Sequence, residues 1–167
     1  MIVVLMGVSG SGKTTIGELL ARRAGAIFAD ADDYHPAANK KKMAAGHPLN
    51  DEDRQPWLET LNHLLRDWYK EGKSGVLACS ALKQKYRDTL ALQMPPAALT
   101  FVWLDLSADE ISERLAHRHH EFMNPNLLKS QFDTLEPPAD AVRVKNDRTP
   151  DQVVDTILQK IPAKAAS

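Results

Sequence analysis

The sequence lacks the features that mark secreted, membrane-bound and nucleic-acid-binding proteins. Its 167 residues include one cysteine, Cys79, which excludes an internal disulfide and is typical of a reducing compartment. No segment approaches the roughly 20 apolar residues that cross a bilayer. The apolar N-terminus has no basic stretch of the kind that opens a signal peptide. Lysine and arginine total 21 against 22 acidic residues, so the net charge of −1 favours no nucleic acid or acidic membrane. We therefore expect a cytoplasmic protein without nucleic-acid or membrane partners.

Short apolar runs alternate with amphipathic helical patterns, which predicts an α/β protein with a parallel sheet. The length favours one domain over residues 1–167. Residues 36–53 are polar and punctuated by proline and glycine, and a long amphipathic helix after them should end near Gly72. The predicted strands cover residues 2–6, 26–29, 76–79, 99–106 and 141–144.

Several helix ends carry local signals. Ser80 is the predicted N-cap of the helix after the third strand, and Gly25 stands where a left-handed residue ends the first helix. Ser107 and Thr149 each open a capping box before a helix. A further helical pattern spans about residues 126–135.

The segment GVSGSGKT, residues 7–14, matches the phosphate-binding loop G-x-x-x-x-G-K-[ST] between a predicted strand and a predicted helix. Its glycines allow the backbone to approach a phosphate, and its N–H groups and the helix N-terminus attract the anion. Lys13 should bridge the β- and γ-phosphates of ATP, and the Thr14 hydroxyl should ligate Mg²⁺. The predicted ATP-binding residues of this segment are Gly7, Val8, Ser9, Gly10, Ser11, Gly12, Lys13, Thr14 and Thr15.

Two carboxylates, Asp30 and Asp32, follow the second strand, and ligands of open α/β sheets bind at this strand end. On an extended chain these two side chains point the same way. One could hold a magnesium-bound water while the other accepts the proton of a substrate hydroxyl. In isolation a helix cap or loop pair would be favoured, but the neighbouring phosphate loop favours catalysis. Which of the two is the base stays open.

Two further side chains of this region are candidates for substrate contacts. His35 could orient a substrate hydroxyl, or it could be an ordinary loop histidine with satisfied hydrogen bonds. The Arg54 guanidinium could bind a substrate carboxylate in a two-pronged contact. A surface ion pair of Arg54 with Asp51 or Asp53 is the alternative.

After the third strand, Lys83 and Arg87 are four residues apart and should share a helix face with Tyr86 beside them. Two cations and a phenol at a strand end suit a polyhydroxylated anion. The alternative is a solvated basic helix face.

Arg114 and Arg118 are also four apart, and His117, His119 and His120 surround the second of them. Paired arginines on a mobile flap are typical of small-molecule kinases, in which they cover the nucleotide phosphates. The nearby residues do not supply the spacing of a four-ligand zinc site.

Together these residues resemble the gluconate kinases, small P-loop enzymes of the nucleoside-monophosphate-kinase-like group. Besides the phosphate loop, the resemblance rests on DADDYHP at 30–36, KMAAGHPLNDEDRQPWL at 42–58, CSALKQKYRD at 79–88 and FMNPNLLKSQFDTLEPP at 122–138. It implies a three-layer fold with five parallel strands in the order 2-3-1-4-5 and a lid at about 114–126. It also implies a cytoplasmic homodimer that transfers the ATP γ-phosphate to the 6-hydroxyl of D-gluconate, which gives 6-phospho-D-gluconate and ADP in carbohydrate-acid catabolism.

The resemblance also assigns roles to individual positions. It makes Asp32 the candidate base beside the hydroxyl and Asp30 the ligand of the magnesium-bound water. Lys13 and Arg118 join Asp32 as catalytic residues, and Arg114 and Arg118 belong to the lid. The implied sugar-acid pocket is lined by Asp32, His35, Arg54, Lys83, Tyr86 and Arg87.

The lid departs from the family pattern at two places. Glu121 precedes Phe122 where relatives commonly have histidine, and Asn124 stands before Pro125. Because a carboxylate near ATP would repel phosphate, we expect Glu121 to point outward, with His120 as a candidate for the missing role.

Two other readings compete with this one. Another small-molecule kinase, acting on shikimate or a nucleoside monophosphate, would share the loop and the charged residues, but DADDYHP and PLNDEDRQPWL favour gluconate. A P-loop switch or scaffold without a small substrate is the second rival. The chain has neither an N-K-x-D guanine-reading motif nor a D-x-x-G switch after a strand, which disfavours it.

Overall fold

The computed structural model describes residues 1–116 and 125–162. Five parallel strands form one sheet in the order β2-β3-β1-β4-β5, which confirms the predicted α/β class and strand order. The strands are β1 (Ile2–Met6), β2 (Ile27–Asp30), β3 (Gly75–Ala78), β4 (Thr100–Leu104) and β5 (Val142–Val144).

Helices cover both faces of this sheet. The α-helices are α1 (Lys13–Ala24), α2 (Ala37–Ala44), α3 (Asp51–Lys70), α4 (Gln84–Leu90), α5 (Ala108–Ala116), α6 (Pro125–Thr134) and α7 (Pro150–Lys160). Short 3₁₀ helices span Ala31–Tyr34 and Pro96–Ala98. Within residues 1–116 and 125–162, no helix is both long and apolar enough to cross a membrane.

The central strand β1 explains the three layers, because its side chains are buried on both sides of the sheet. Val4 and Met6 pack with the apolar face of α3, while Val3 and Leu5 pack with α1 and α7. A strand buried on both faces is continuously apolar, as the sequence of β1 is. The carboxyl end of β1 therefore leads into the phosphate loop from the middle of the core.

Most predicted helix ends are confirmed. Gly25 ends α1 with φ of 64°, and capping boxes form at Ser107 and at Thr149. The prediction for Ser80 is wrong, because α4 begins only at Gln84 and has Lys83 as its N-cap. The intervening chain turns at Ala81, whose φ is 46°, and the Ser80 carbonyl accepts a hydrogen bond from the Gly7 N–H at 3.3 Å.

Helix α2 was not predicted from the polar stretch 36–53. Its sequence AANKKKMA has no clear apolar stripe, and only Asn39 is buried among its eight residues. The helix is held by polar contacts of Asn39 and Lys42 with Asp53 rather than by an apolar face, so hydrophobic periodicity does not reveal it.

Cys79, the single cysteine of the chain, is buried. It lies directly after β3 and is 2% exposed. Burial raises the pKa of its thiol to about 12, so the side chain stays protonated and unreactive.

Candidate active site

The phosphate loop is a close-packed turn that only glycine can build at two of its positions. Gly7 has φ of 150°, and a Cβ there would come within 2.8 Å of Ser11 Oγ and 2.9 Å of the Leu104 carbonyl oxygen. Gly12 has φ of 95°, and a Cβ there would lie 2.3 Å from Asn146 Nδ2. The loop backbone therefore carries no side chain at these two positions and folds tightly, as an anion-binding nest requires.

Lys13 lies along the inside of this loop. Its Nζ donates to the carbonyl oxygens of Gly7 at 2.9 Å and of Val8 at 3.0 Å. Burial lowers the pKa of Lys13, while the carboxylates of Asp30 and Asp32 favour its charged form. The Lys13 ammonium group thus lies against the phosphate loop, at the same edge of the sheet as Asp30 and Asp32.

Asp30 makes one hydrogen bond through each of its carboxylate oxygens. Its Oδ1 accepts the Asp32 N–H at 2.9 Å and caps the 3₁₀ helix, whereas its Oδ2 accepts the Thr14 hydroxyl at 3.3 Å. The premise of two carboxylates on an extended chain is corrected, because Asp32 belongs to the 3₁₀ helix. Asp30 and Thr14 nevertheless bring oxygen ligands together, which suits Mg²⁺.

Asp32 is exposed to solvent beside His35. Its side chain is 85% exposed, and its Oδ1 lies 4.0 Å from His35 Nε2. Desolvation by the surrounding protein raises the pKa of Asp32, and the Asp30 carboxylate raises it further. A carboxylate that is accessible and more basic than usual is suited to accept a proton.

His35 is held firmly beside Asp32. Its side chain is 5% exposed, and its ring stacks on Trp57 with centroids 4.3 Å apart and planes 15° apart. Trp57 Nε1 donates to the Ala31 carbonyl at 2.7 Å, which joins α3 to the 3₁₀ helix that carries Asp32. Burial lowers the pKa of His35, so the ring is neutral at neutral pH.

Asp51 is the hub of a polar cluster that the sequence analysis missed as a functional group. Lys83 Nζ donates to its carboxylate at 3.1 Å, and Lys85 Nζ and the Tyr86 hydroxyl donate to it as well. These donors lower the pKa of Asp51. Arg54 Nη1 donates to the Tyr86 hydroxyl at 3.2 Å and stands over the Tyr86 ring at 5.6 Å.

The structure does not show the surface ion pair that was the alternative for Arg54. Within the described residues, Asp51 is engaged by α4 and its N-cap, and Asp53 pairs with Lys42 Nζ at 2.5 Å. The guanidinium of Arg54 instead faces the phenol of Tyr86. Arg54, Lys83 and Tyr86 thus lie together, in the grouping that the family resemblance implied, although Lys83 is the N-cap of α4 and not part of its helical face.

Arg87 occupies a different environment from the other predicted pocket residues. It is 3% exposed, and its guanidinium donates to the carbonyl oxygens of Ala81 at 2.7 Å and Glu136 at 2.8 Å. Burial lowers the pKa of Arg87. Its side chain braces the turn before α4, and its hydrogen bonds go to Ala81, Gln84 and Glu136 rather than to Arg54 or Tyr86.

Arg114, on α5, lies beside the phosphate loop. Its guanidinium donates to the Asn146 carbonyl, and Asn146 Nδ2 donates to the Ser11 carbonyl at 2.9 Å. Asn146 is 4% exposed and follows β5, so it joins that strand end to the loop. Asn146 and Ser11 lie 135 positions apart, so no local sequence pattern predicted this contact.

Gln131 is a second loop contact that the sequence analysis missed. Its Oε1 accepts the Ser9 N–H at 2.6 Å, and its Nε2 donates to Ser9 Oγ at 2.8 Å. The only sequence signal was its place in the stretch at 122–138 that carries the family resemblance. Arg118, the histidines at 117, 119 and 120, and residues 121–124 lie outside the described residues, so their predicted roles stay predictions.

The sheet order and the loop define a P-loop kinase. A family model described as shikimate kinase matches residues 9–162. The crystal structure of a shikimate kinase from Aquifex aeolicus is 21% identical and has a TM-score of 0.57, covering 95% of this chain and 94% of its own. At that identity the likeness shows the fold alone.

Other relatives are much more similar. A gluconokinase of Gluconobacter oxydans is 43% identical over 97% of this chain and 92% of its own. A thermosensitive gluconokinase of Escherichia coli is 50% identical over 81% of this chain and 71% of its own. The crystal structure of a gluconokinase from Sinorhizobium meliloti has a TM-score of 0.84 at 39% identity, covering 94% of this chain and 89% of its own. The chain belongs to the gluconokinase family.

Proposed function

We propose that the protein transfers the γ-phosphate of ATP to the 6-hydroxyl of D-gluconate, which yields 6-phospho-D-gluconate and ADP. The observation that carries this proposal is the 43% identity to a gluconokinase over 97% of the chain. The described side chains support it, because a phosphate loop, an accessible carboxylate and a cationic cluster come from neighbouring strand ends.

Residues 7–15 supply the nucleotide site of this proposal. The loop N–H groups and Lys13 bind the ATP phosphates, and Arg114 adds positive charge beside the loop. Thr14 and Asp30 would hold Mg²⁺, which supplies charge neutralisation on the transferred phosphoryl group. Arg118, in the proposed lid at 114–126, completes the proposed ATP-binding residues. The lid and the nucleotide site belong to one proposed domain.

Asp32 is the proposed general base. It accepts the proton of the 6-hydroxyl while Lys13 favours the charge that develops on the phosphoryl oxygens. Because the transition state of phosphoryl transfer is loose, proton removal contributes less than the positioning of the hydroxyl. The neighbouring His35 contributes to that positioning.

The cluster at the start of α3 is the proposed anchor for the substrate carboxylate. Arg54 and Lys83 provide cationic donors, and Tyr86 provides a phenol between them. The Asp51 carboxylate accepts hydrogen bonds from Lys83 and Tyr86 and holds both side chains in place. Anchoring one end of gluconate here would direct its far hydroxyl towards Asp32. In this arrangement Arg87 supports the turn that carries Lys83 and has no assigned substrate contact.

The direct test is an ADP-release assay of purified protein with ATP and Mg²⁺. Gluconate, other aldonates, shikimate, glycerate and AMP are compared as acceptors, and Lys13→Met serves as the inactive control. We expect turnover with gluconate well above that with shikimate or AMP. Preference for shikimate or AMP would overturn the substrate, and nucleotide hydrolysis indifferent to every acceptor would favour a nucleotide switch.

We also propose a homodimer in the cytoplasm. The dimer is supported by the family resemblance, and the compartment by the single buried thiol of Cys79. Light scattering after size exclusion should give twice the chain mass of 18.5 kDa. A monomeric mass across a micromolar concentration range would contradict the dimer.

A further inference from the structure

The orientation of the Asn39 side chain can be read from its hydrogen bonds. Asn39 lies on α2, is 4% exposed, and places Nδ2 2.8 Å from the Asp53 carbonyl oxygen. A carbonyl oxygen only accepts hydrogen bonds, so the amide nitrogen rather than the amide oxygen must face it. This contact therefore fixes which way the amide points.

The same amide nitrogen determines which nitrogen of His35 carries the proton. Asn39 Nδ2 also lies 3.3 Å from His35 Nδ1. Because an NH₂ group can only donate, Nδ1 must be the acceptor of this contact. In a neutral imidazole the proton is then on Nε2, the nitrogen that faces Asp32 Oδ1 at 4.0 Å.

The imidazole has little freedom to avoid this arrangement. Its side chain is 5% exposed and stacked on Trp57, so a ring flip would have to break the stack. Burial lowers the pKa of His35, which keeps the ring neutral and makes the choice of tautomer meaningful. The 4.0 Å between Nε2 and Asp32 Oδ1 exceeds a hydrogen bond, so the N–H remains available to a substrate oxygen.

We infer that Asn39 is a positioning residue that selects the Nε2–H tautomer of His35, so that a fixed donor stands beside the Asp32 acceptor. This inference rests on the proposed function, in which Asp32 accepts the proton of the 6-hydroxyl. An adjacent donor and acceptor suit neighbouring hydroxyl groups of a polyol: one gives its proton to Asp32 and the next accepts from His35. The opposite tautomer would present two acceptors there and leave the second hydroxyl without a donor.

The wild-type protein tests the first half of the inference without any assay of activity. Nitrogen-15 NMR of the histidine side chains at neutral pH distinguishes the two tautomers, and His35→Gln identifies the His35 signals. We expect the proton on Nε2. A proton on Nδ1 in the wild-type protein would overturn the inference.

The Asn39→Asp variant tests the second half. It keeps the shape of the side chain but replaces the donor with a carboxylate acceptor, so His35 Nδ1 should become protonated. We expect kcat with gluconate to fall about tenfold to a hundredfold, by analogy with residues that orient metal-binding histidines. KM for ATP should change little. If Asn39→Asp does not fold, Asn39→Ala is the second variant, because it removes the amide without adding charge. It should give a mixture of the two His35 tautomers and a smaller fall in kcat.

Asn62→Asp is the matched control. Asn62 is 5% exposed, and its Nδ2 donates to the carbonyl oxygens of Leu90 and Leu92, both at 2.9 Å. This substitution should lower the melting temperature but leave the His35 tautomer and kcat unchanged. An unchanged tautomer and kcat in both Asn39 variants would overturn the inference. Failure of the wild-type protein to phosphorylate gluconate would instead overturn the proposed function, whichever tautomer the spectra show.

Discussion

Gln131 and Ser9 form a reciprocal pair across 122 residues of sequence. The glutamine Oε1 accepts the serine N–H at 2.6 Å, and the glutamine Nε2 donates to the serine Oγ at 2.8 Å. Helix α6, which carries Gln131, follows the proposed lid. The pair therefore joins α6 to the loop that is proposed to bind the nucleotide phosphates.

Replacement of Gln131 should weaken ATP binding more than gluconate binding. In Gln131→Ala both hydrogen bonds of Ser9 are lost, and each contributes about 0.5–1.5 kcal/mol to the loop conformation. We expect the dissociation constant for ATP, measured by calorimetry, to rise about fivefold or more. Gln131→Glu keeps an acceptor for the Ser9 N–H but places a negative charge beside the loop, so it should also weaken ATP binding. Equal ATP affinity in wild-type and Gln131→Ala protein would show that the pair does not support the loop.

The proposed base predicts a split between turnover and binding. Asp32→Asn keeps the size of the side chain but cannot accept the hydroxyl proton, so kcat should fall about a hundredfold or more. KM for gluconate should change much less, because binding does not depend on the proton transfer. Steady-state kinetics measures both quantities.

Asp30→Asn is the comparison for Asp32→Asn. Asp30 contacts Thr14, so its loss should chiefly raise the Mg²⁺ concentration needed for half-maximal activity. If Asp32→Asn retained full turnover while Asp30→Asn abolished it at saturating Mg²⁺, the two roles would be exchanged.

Arg54→Ala should chiefly raise the KM for gluconate. A charge-assisted hydrogen bond contributes about 1.5–3 kcal/mol, which corresponds to about a tenfold to hundredfold change. Arg66→Ala is the matched control, because Arg66 lies on the same helix and donates instead to Gln93 and His63. A rise in KM for ATP alone would place Arg54 in the nucleotide site.

Asp51 predicts a pH-dependent contribution to stability. Hydrogen bonds from Lys85, Tyr86 and Lys83 lower its pKa in the folded protein, so the unfolded chain binds a proton at higher pH than the folded one. The stabilisation is therefore present above the ordinary carboxyl pKa of about 3.9 and is lost as the pH falls through the lowered value.

Melting temperatures of wild-type and Asp51→Asn protein between pH 3 and 7 test this prediction. The difference should be largest near neutral pH and should shrink in acid. Because the Asp51 side chain is 39% exposed, salt should also reduce the difference. A difference that grew on acidification would contradict the lowered pKa.

Local signals account for what could be predicted about the fold. The capping boxes at Ser107 and Thr149 involve residues three apart, so the sequence contains both partners. Ser80 had the right residue type for a cap, but its carbonyl bonds to Gly7 across the sheet edge and the chain turns at Ala81. The strand order followed from the family resemblance rather than from any periodicity.

The candidate site shows the same difference between contacts of sequence neighbours and contacts of distant residues. The phosphate loop could be recognised from the sequence because its glycines, Lys13 and Thr14 lie within eight consecutive residues. Asp51 lies 35 residues from Tyr86, and Asn146 lies 135 residues from Ser11. Nothing in the neighbourhood of either residue along the chain indicates those partners.

The sequence by itself determined the alternation of strands and helices, the conformation of the glycine loop and the residue types at the ends of the strands. These properties depend on backbone sterics, capping and periodicity, which act over a few residues. Only the tertiary structure decided which polar side chains share a contact. It buried Arg87 against carbonyl oxygens, gathered Lys83 and Tyr86 around Asp51, and brought Asn39 to His35, because packing of helices on the sheet sets distances that sequence spacing does not encode.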